Sequence, residues 1–451
     1  MKQQMQGGPV PLDVESYPVA PEGLDLEQVH VYVRHGERTP VRVRMSDPPA
    51  SIPADWQMCN TAKSFHETVA GHSPTVDDGL WYRKVVENRH GKTAEGLCLL
   101  GELTDIGKKS TYSFGTALRS LYVDRLKFLP PKLEDERLTY FRSTNIARTI
   151  ESLQHIVHGL YPPSTCAPGT IPSIIIRNGI DENLVSNTLA CKRLALLELQ
   201  FAEAAVAVWN QRLEPLDKKV SKYIGGKPLR LDGTPRASGI LDTVRSAAAH
   251  GFRVPSEFMD DDVIGLIEAA VTAEWFDSKP LVHYPTPCTS IDRPLVFKSE
   301  DGRRLGMGRL LADASEGMQR KARLDSKEPT KLLVHSTHDS TLAALLCTFD
   351  VFDDKWPPFT SSVTFELFRR QTPAFEQTNL SGLRALSSVW RRQDEHYVRM
   401  RYKNKNMVLP MCAEKGKHLP GSPEFCTLEA FQRKVGELTP RDWVGECFPR
   451  P

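Results

Sequence analysis

Arg34, His35 and Arg38 crowd around Gly36, and Arg142 and the pair His338-Asp339 follow far downstream. Gathered in one cleft, three arginines and two histidines would repel one another and call for an anion to relieve them. A phosphoryl group answers that need. Guanidinium offers planar, paired donors to its oxygens. Arginines also stabilise the charge that spreads over the equatorial oxygens during transfer. A neutral imidazole at His35 can attack phosphorus in line, leaving a phosphohistidine that water hydrolyses. A phosphate monoester expels an alkoxide, a poor leaving group, so a carboxylic acid within reach must supply a proton. Asp339 is the candidate, and its carboxylate can then activate the water. An unperturbed Asp has a pKa of about 3.9, so this scheme favours acidic conditions unless the site raises that value. His338 would donate a hydrogen bond to a phosphoryl oxygen. Gly36, lacking a side chain, would let the loop backbone approach the ligand. The scheme assigns His35 and Asp339 to catalysis and Arg34, Arg38, Arg142 and His338 to phosphate binding. It uses no cofactor and no metal.

Three strand–loop–helix units must carry these residues. Val29 to Val33 is β-branched and aromatic and ends at Arg34-His35-Gly36, a strand running into a loop. Leu138 to Phe141 is a second strand, ending at Arg142. Leu332-Leu333-Val334 leads into His335-Ser336-Thr337-His338-Asp339, and Thr341 to Cys347 follows as a helix. Thr104-Asp105 caps a helix over 104–123. Thr144 or Asn145 caps another that runs to His158, with Gly159 as its stop. Open sheets of this kind bind ligands beyond the carboxyl ends of their strands, where all three polar loops fall. The expected fold is therefore α/β, an open, mostly parallel sheet with helices on both faces. Ser362 to Phe368 and Tyr397 to Tyr402 alternate like an antiparallel pair. Residues 161–300 differ: Ala190 to Leu213 and Phe258 to Trp275 are helical, and turn-forming Gly225-Gly226 and Asp232-Gly233 lie between them. This stretch reads as a helical cap inserted between two parts of the core, 19–160 and 301–451. Gly306 to Arg323 is a further helix.

The 451 residues carry 58 Lys and Arg against 56 Asp and Glu, a net charge of +2. Such a balance gives no global attraction to nucleic acid or an anionic membrane, so an anionic substrate must be held by a local cluster. No apolar run is long enough to span a membrane. The start, Met1 to Pro18, lacks the apolar stretch of a secretory signal, which favours an intracellular or organellar placement. One glycosylation sequon, Asn379-Leu380-Ser381, discriminates little. The nine cysteines form no C-x2-C pair, which gives no support to ribbon-type zinc sites. Cys412, Cys426 and Cys447 sit in a loop-rich tail where a disulfide or free thiols are both open.

Arg34-His35-Gly36-Glu37-Arg38-Thr39-Pro40 resembles the R-H-G-x-R-x-P signature of the histidine acid phosphatases, the branch of the histidine phosphatase superfamily that includes phytases and lysophosphatidic acid phosphatase. His338-Asp339 is similar to the family's H-D motif, Arg142-Ser143-Thr144 to its R-S-T loop, and Leu103 to Gly107 to its L-T-x-x-G. The resemblance runs from about residue 28 to 447. It implies a phosphoglycerate mutase-like fold, hydrolysis of a small phosphate monoester, the roles given above, and a disulfide between Cys412 and Cys426. The stretch Arg142 to Arg148 looks closer to the lysophosphatidic acid phosphatase type than to phytases. In 41–103 and 161–300 the likeness fades, and the substrate stays open there.

Competing readings are weaker. A metal site on His335, His338 and Asp339 would face repulsion from the arginines. Gly306-Met307-Gly308 follows no strand and does not support a nucleotide loop. Arg399 to Lys405 reads as a solvated strand and loop, and Trp356-Pro357-Pro358 as a packed turn. A phosphomutase would share the histidine acceptor but return the phosphoryl group. A catalytically inactive binding protein on the same fold would have no need of His35 or Asp339.

Overall fold

Val29, Val31 and Val33 are fully buried on one side of the first strand, and Tyr32 is buried on the other. A strand covered on both faces belongs at the centre of a sheet, which suits its β-branched and aromatic residues. In the computed structural model, which describes residues 12–60, 64–68, 79–87, 93–170, 172–276, 299–371 and 395–448, that strand is the pivot of a nine-stranded sheet. Its strands are β1 (Leu24–Arg34), β2 (Thr139–Ser143), β3 (Ile174–Ile176), β4 (Leu332–Thr337), β5 (Ser362–Arg370), β6 (His396–Tyr402), β7 (Lys405–Met407), β8 (His418–Leu419) and β9 (Ser422–Thr427). The order is β8-β9-β6-β5-β1-β4-β2-β3, with β7 as a hairpin on β6. From β1 towards β3 all pairings are parallel. From β1 towards β8 they are antiparallel, including the expected β5–β6 pair.

The helices are α1 (Asp105–Arg119), α2 (Ala147–Leu160), α3 (Lys192–Leu213), α4 (Ala237–Ala249), α5 (Asp261–Phe276), α6 (Glu300–Leu324), α7 (Asp339–Thr348) and α8 (Leu428–Leu438). Phe114 and Leu118 of α1 and Leu153 and Ile156 of α2 pack on the Val29–Val31–Val33 face. Met307, Leu310 and Leu311 of α6, together with α7 and α8, cover the Tyr32 face. Helices on both faces are thus as expected. Gly159 does not stop α2. It lies inside the helix, where a Cβ would meet the Tyr112 carbonyl at 2.3 Å, and Gly115 likewise faces the Ile156 carbonyl at 2.1 Å. These two glycines let α1 and α2 cross with their backbones nearly touching. The start of α2 carries no side-chain cap, because Ile146 holds the N-cap position and Thr144 bonds to Thr149 and His338.

Helices α3 to α5 build a second apolar core with Leu213, Ile240, Val244, Phe258 and Ile267, and Met45, Ile52 and Trp56 join it. The cap therefore draws on the chain just after the first site loop as well as on residues 161–300. Three disulfides pin the periphery. Cys412–Cys426 lies where the resemblance implied one, Cys191–Cys447 ties the start of α3 to the end of the chain, and Cys59–Cys98 closes the early irregular stretch. Arg399 and Arg401 are not solvated: both are buried against Glu366, with Tyr17 and Tyr122 as further partners. Gly306 and Gly308 lie inside α6, and Gly308 admits the Leu438 carbonyl rather than a nucleotide. The sequon at 379–381 lies outside the described residues. Among the described residues no helix is long and apolar enough to cross a membrane.

Candidate active site

The parallel strands β1, β4 and β2 end side by side at Arg34, Thr337 and Ser143, so the loops that follow open on one edge. His35 stays tied to that edge: its N–H donates to the Thr337 carbonyl at 3.0 Å, and its carbonyl accepts from Thr360 at 3.2 Å. The loop then turns onto the N-terminus of α1. A Cβ on Gly36 would sit 2.4 Å from the Gly107 carbonyl, and one on Gly107 would sit 2.1 Å from the Glu37 carbonyl. Gly36 is thus demanded by contact with α1 rather than by room for a ligand. Thr104 caps α1 by accepting from Gly107 N–H at 3.3 Å, and its own N–H donates to Glu37 at 3.1 Å. The L-T-x-x-G stretch therefore holds the nucleophile loop in place.

His35 is almost fully buried, and its Nδ1 lies 2.9 Å from the Gly36 carbonyl. A carbonyl only accepts, so Nδ1 carries the proton and Nε2 keeps its lone pair. Burial, then Arg34, Arg38, Arg148 and His338, hold the imidazole well below its ordinary pKa, so it is neutral and nucleophilic across the working range. Arg34 donates through Nη2 to Asp339 at 2.6 Å and through Nη1 to the Pro357 carbonyl at 2.6 Å, and it lies over the Phe359 ring. Arg38 pairs with Asp242 at 2.9 Å and with the Thr39 carbonyl at 3.0 Å. Nε of Arg34, Arg38 and Arg148 is buried and meets no partner within the protein. Three unpaired guanidinium donors around one imidazole are what an anionic guest would satisfy.

His338 joins this group. Its Nε2 lies 3.0 Å from Thr144 Oγ1, its ring is 5.6 Å from that of His35, and burial lowers its pKa to about 4. Asp339 opens α7. Burial pushes its carboxyl up, but Arg34, Arg38 and the Trp356 indole outweigh that and hold it at about 2. The Trp356 Nε1–H donates to Oδ2 at 3.0 Å. The turn at Trp356-Pro357 therefore braces both members of the Arg34–Asp339 pair. Trp356 is itself fastened to the cap, its backbone N–H donating to Glu268 of α5 at 2.6 Å.

Arg142 stands apart. On β2 it is in register with His335, and its Nη2 donates to Glu182 and, at 2.7 Å, to Asn183, while its buried Nε meets no partner, like those of Arg34, Arg38 and Arg148. Arg148, in the first turn of α2, adds a charge that acts on His35 and His338 and was not among the candidates read from the sequence. The signal was available: a helix that starts at the same sheet edge points its first turn into the site. Asp242 and Trp356 were also missed, since neither lies in a motif next to the strand ends. His335 is a structural neighbour, stacked on Tyr32 with ring centroids 4.6 Å apart.

Beyond the arginines a cleft of about 1580 Å³ opens between core and cap, lined by Arg34, Arg38 and Asp339 on one side and by α3, α4 and α5 on the other. A model of the histidine phosphatase superfamily (branch 2) matches residues 25–403. A probable acid phosphatase of Schizosaccharomyces pombe is 32% identical, over 95% of each chain. Human prostatic acid phosphatase is 26% identical over 77% of each. Bovine lysophosphatidic acid phosphatase type 6 is 24% identical over 94% of this chain and 85% of its own. Among solved structures, the Hafnia alvei phytase bound to tartrate aligns over 95% of this chain and all of its own, with a TM-score of 0.57 and 14% identity, a likeness of fold. A family match running through both site loops, with a relative of that identity along the full length, shows that the chain belongs to branch 2 of the histidine phosphatase superfamily.

Proposed function

We propose that this acid phosphatase hydrolyses phosphate monoesters through His35 and Asp339, with Arg34, Arg38, Arg148 and His338 holding the phosphoryl group. The observation that carries this reading is the neutral His35 with Nε2 free amid three unpaired guanidinium donors. Nε2 attacks phosphorus while Nδ1 keeps its proton on the Gly36 carbonyl. The N–P bond forms as the P–O bond to the leaving group breaks. In the free site Asp339 is ionised, so the proton arrives with the substrate. A phosphate monoester keeps one proton below a second pKa of about 6. Once its phosphoryl group engages Arg34, Asp339 loses its main counter-charge and accepts that proton. It then passes the proton to the departing oxygen. In the second step the Asp339 carboxylate takes a proton from water, the oxygen attacks phosphorus, and the P–N bond breaks. Free phosphate leaves with the proton that Asp339 took from water, and ionised Asp339 and neutral His35 return. The arginines supply the charge stabilisation that a metal ion gives elsewhere.

Phosphate release from p-nitrophenyl phosphate, with and without EDTA, tests the scheme in wild type and His35→Ala. Activity should survive EDTA, vanish in the variant, and decline above a pH of about 6 as the substrate monoanion disappears. Activity abolished by EDTA, or retained by His35→Ala, would overturn the scheme. We also place the protein in an oxidising compartment, an organellar lumen or the exterior rather than the cytosol. Three disulfides support that reading, because such bonds persist there and are rare in the cytosol.

A further inference from the structure

We propose that Glu268, a carboxylate of the cap, positions the catalytic acid: it fixes Trp356, Trp356 fixes Asp339, and proton delivery to the leaving group depends on that link. The inference rests on the phosphatase reading above. In the free site Asp339 Oδ2 accepts from Arg34 Nη2 at 2.6 Å and from the Trp356 indole at 3.0 Å, while Oδ1 accepts from the Ser340 N–H at 2.8 Å. A phosphoryl group that engages Arg34 takes the first of these away. The Ser340 bond lies within α7 and moves with it. Among the described residues, the Trp356 indole then makes the one hydrogen bond that holds the carboxyl from outside its own helix.

Trp356 sits in the connection between α7 and β5, which has no regular structure over 351–358, so its backbone must be fastened from elsewhere. Pro357 and Pro358 carry no N–H. The Trp356 N–H is therefore the backbone donor that the turn can offer, and it goes to Glu268 Oε1 at 2.6 Å. Glu268 is held in turn by Arg245 of α4 at 2.5 Å, and only 15% of its side chain is exposed. The indole packs against the apolar core of the sheet and against that of the cap. Trp275 of α5 meets it edge-on, with ring centroids 6.0 Å apart. The same turn accepts Arg34 Nη1 on the Pro357 carbonyl, so a shift at Trp356 would disturb both members of the Arg34–Asp339 pair. Arg245, Trp275 and Trp356 line the cleft, and Glu268 lies outside that lining. Glu268 touches no reacting group and acts through Trp356, as a positioning residue.

The test is the ratio of kcat/KM for p-nitrophenyl phosphate to kcat/KM for glycerol 2-phosphate. This constant covers the steps through departure of the leaving group, and the alkoxide needs a proton where the phenolate does not. Glu268→Met and Glu268→Gln both leave Arg245 without a charged partner, but only Gln keeps an oxygen that can accept from Trp356. Glu268→Met should raise the ratio about tenfold or more, and Glu268→Gln should leave it within about threefold of wild type. A ratio unmoved in Glu268→Met, or moved equally in both variants, would overturn the inference. Should Glu268→Met fail to fold, Trp356→Phe decides, since it keeps the backbone bond to Glu268 and removes the indole donor. A rise of about tenfold there would support the inference, and a ratio within about threefold of wild type would overturn it. Asp339→Asn is the reference. A raised ratio there beside a flat one in Glu268→Met overturns the role of Glu268 alone, whereas a flat ratio in Asp339→Asn refutes the underlying acid assignment and this inference with it.

Discussion

Replacing Asp339 by Asn removes the proton donor while keeping its size, and the structure sets two magnitudes for the result. The first concerns chemistry. General acid catalysis contributes about 10²- to 10⁴-fold, most where the leaving group is poor. Asp339→Asn should therefore lose most of its activity on an alkyl phosphate and much less on p-nitrophenyl phosphate, whose phenolate departs without help. The second concerns stability. The carboxyl is held at about 2 against an ordinary 3.8, chiefly because Arg34 and Arg38 outweigh its burial. At about 1.4 kcal/mol per pKa unit, that depression corresponds to about 2 kcal/mol. The folded value lies below the unfolded one. The contribution is thus complete above the ordinary pKa and disappears as the pH falls through about 2. Asp339→Asn should accordingly lower the unfolding free energy by about 2 kcal/mol at neutral pH, with a smaller difference near pH 3. Steady-state kinetics on paired aryl and alkyl phosphates, and denaturant melts at two pH values, measure both effects. An equal loss on aryl and alkyl substrates would refute Asp339 as the acid. An unchanged stability at neutral pH would refute the account of the Arg34–Asp339 pair.

Arg148→Ala should reduce kcat/KM by about 10²- to 10³-fold with little loss of stability, because it deletes a donor aimed at the developing phosphoryl charge. Arg142→Ala should do the reverse, costing about 3–5 kcal/mol of stability by leaving Glu182 buried and unpaired, and parallel kinetics and melts distinguish the two. Comparable kinetic losses in both would refute the separation drawn between them. Mass spectrometry of unreduced protein should find Cys191 joined to Cys447. Cys191→Ser should cost about 2–4 kcal/mol, since that bond closes a loop of 256 residues. A free thiol at Cys447 in protein isolated without reductant would refute the pairing.

How much was legible beforehand follows from the range of each interaction. A strand that ends in Arg34-His35-Gly36, and another that leads into His338-Asp339, are written in hydrophobic alternation and loop chemistry over a few residues. Parallel strands carry their loops to a common edge, so His35, Asp339, Arg34 and Arg38 could be placed together without coordinates. The same local reasoning read 161–300 as a helical cap, but Ile174–Ile176 within it is a strand of the central sheet. It did not see that Met45, Ile52 and Trp56 complete the cap's core, because burial there depends on residues more than a hundred positions away.

The remaining features were decided by packing. Where Arg142 and Arg148 lie depends on which way β2 turns its side chains and on where α2 begins. Register with His335 sends Arg142 to Glu182, while the first turn of α2 keeps Arg148 beside His35. Arg399 and Arg401 look like surface cations until Glu366 is brought between them from a neighbouring strand. Trp356 and Asp242 carry no motif, because their value lies in reaching Asp339 and Arg38 across the fold. By itself the sequence named the candidate reacting groups, since reactivity follows from residue type and near neighbours. Only the tertiary structure decided which charges surround them, because an electrostatic environment is summed over space and not along the chain.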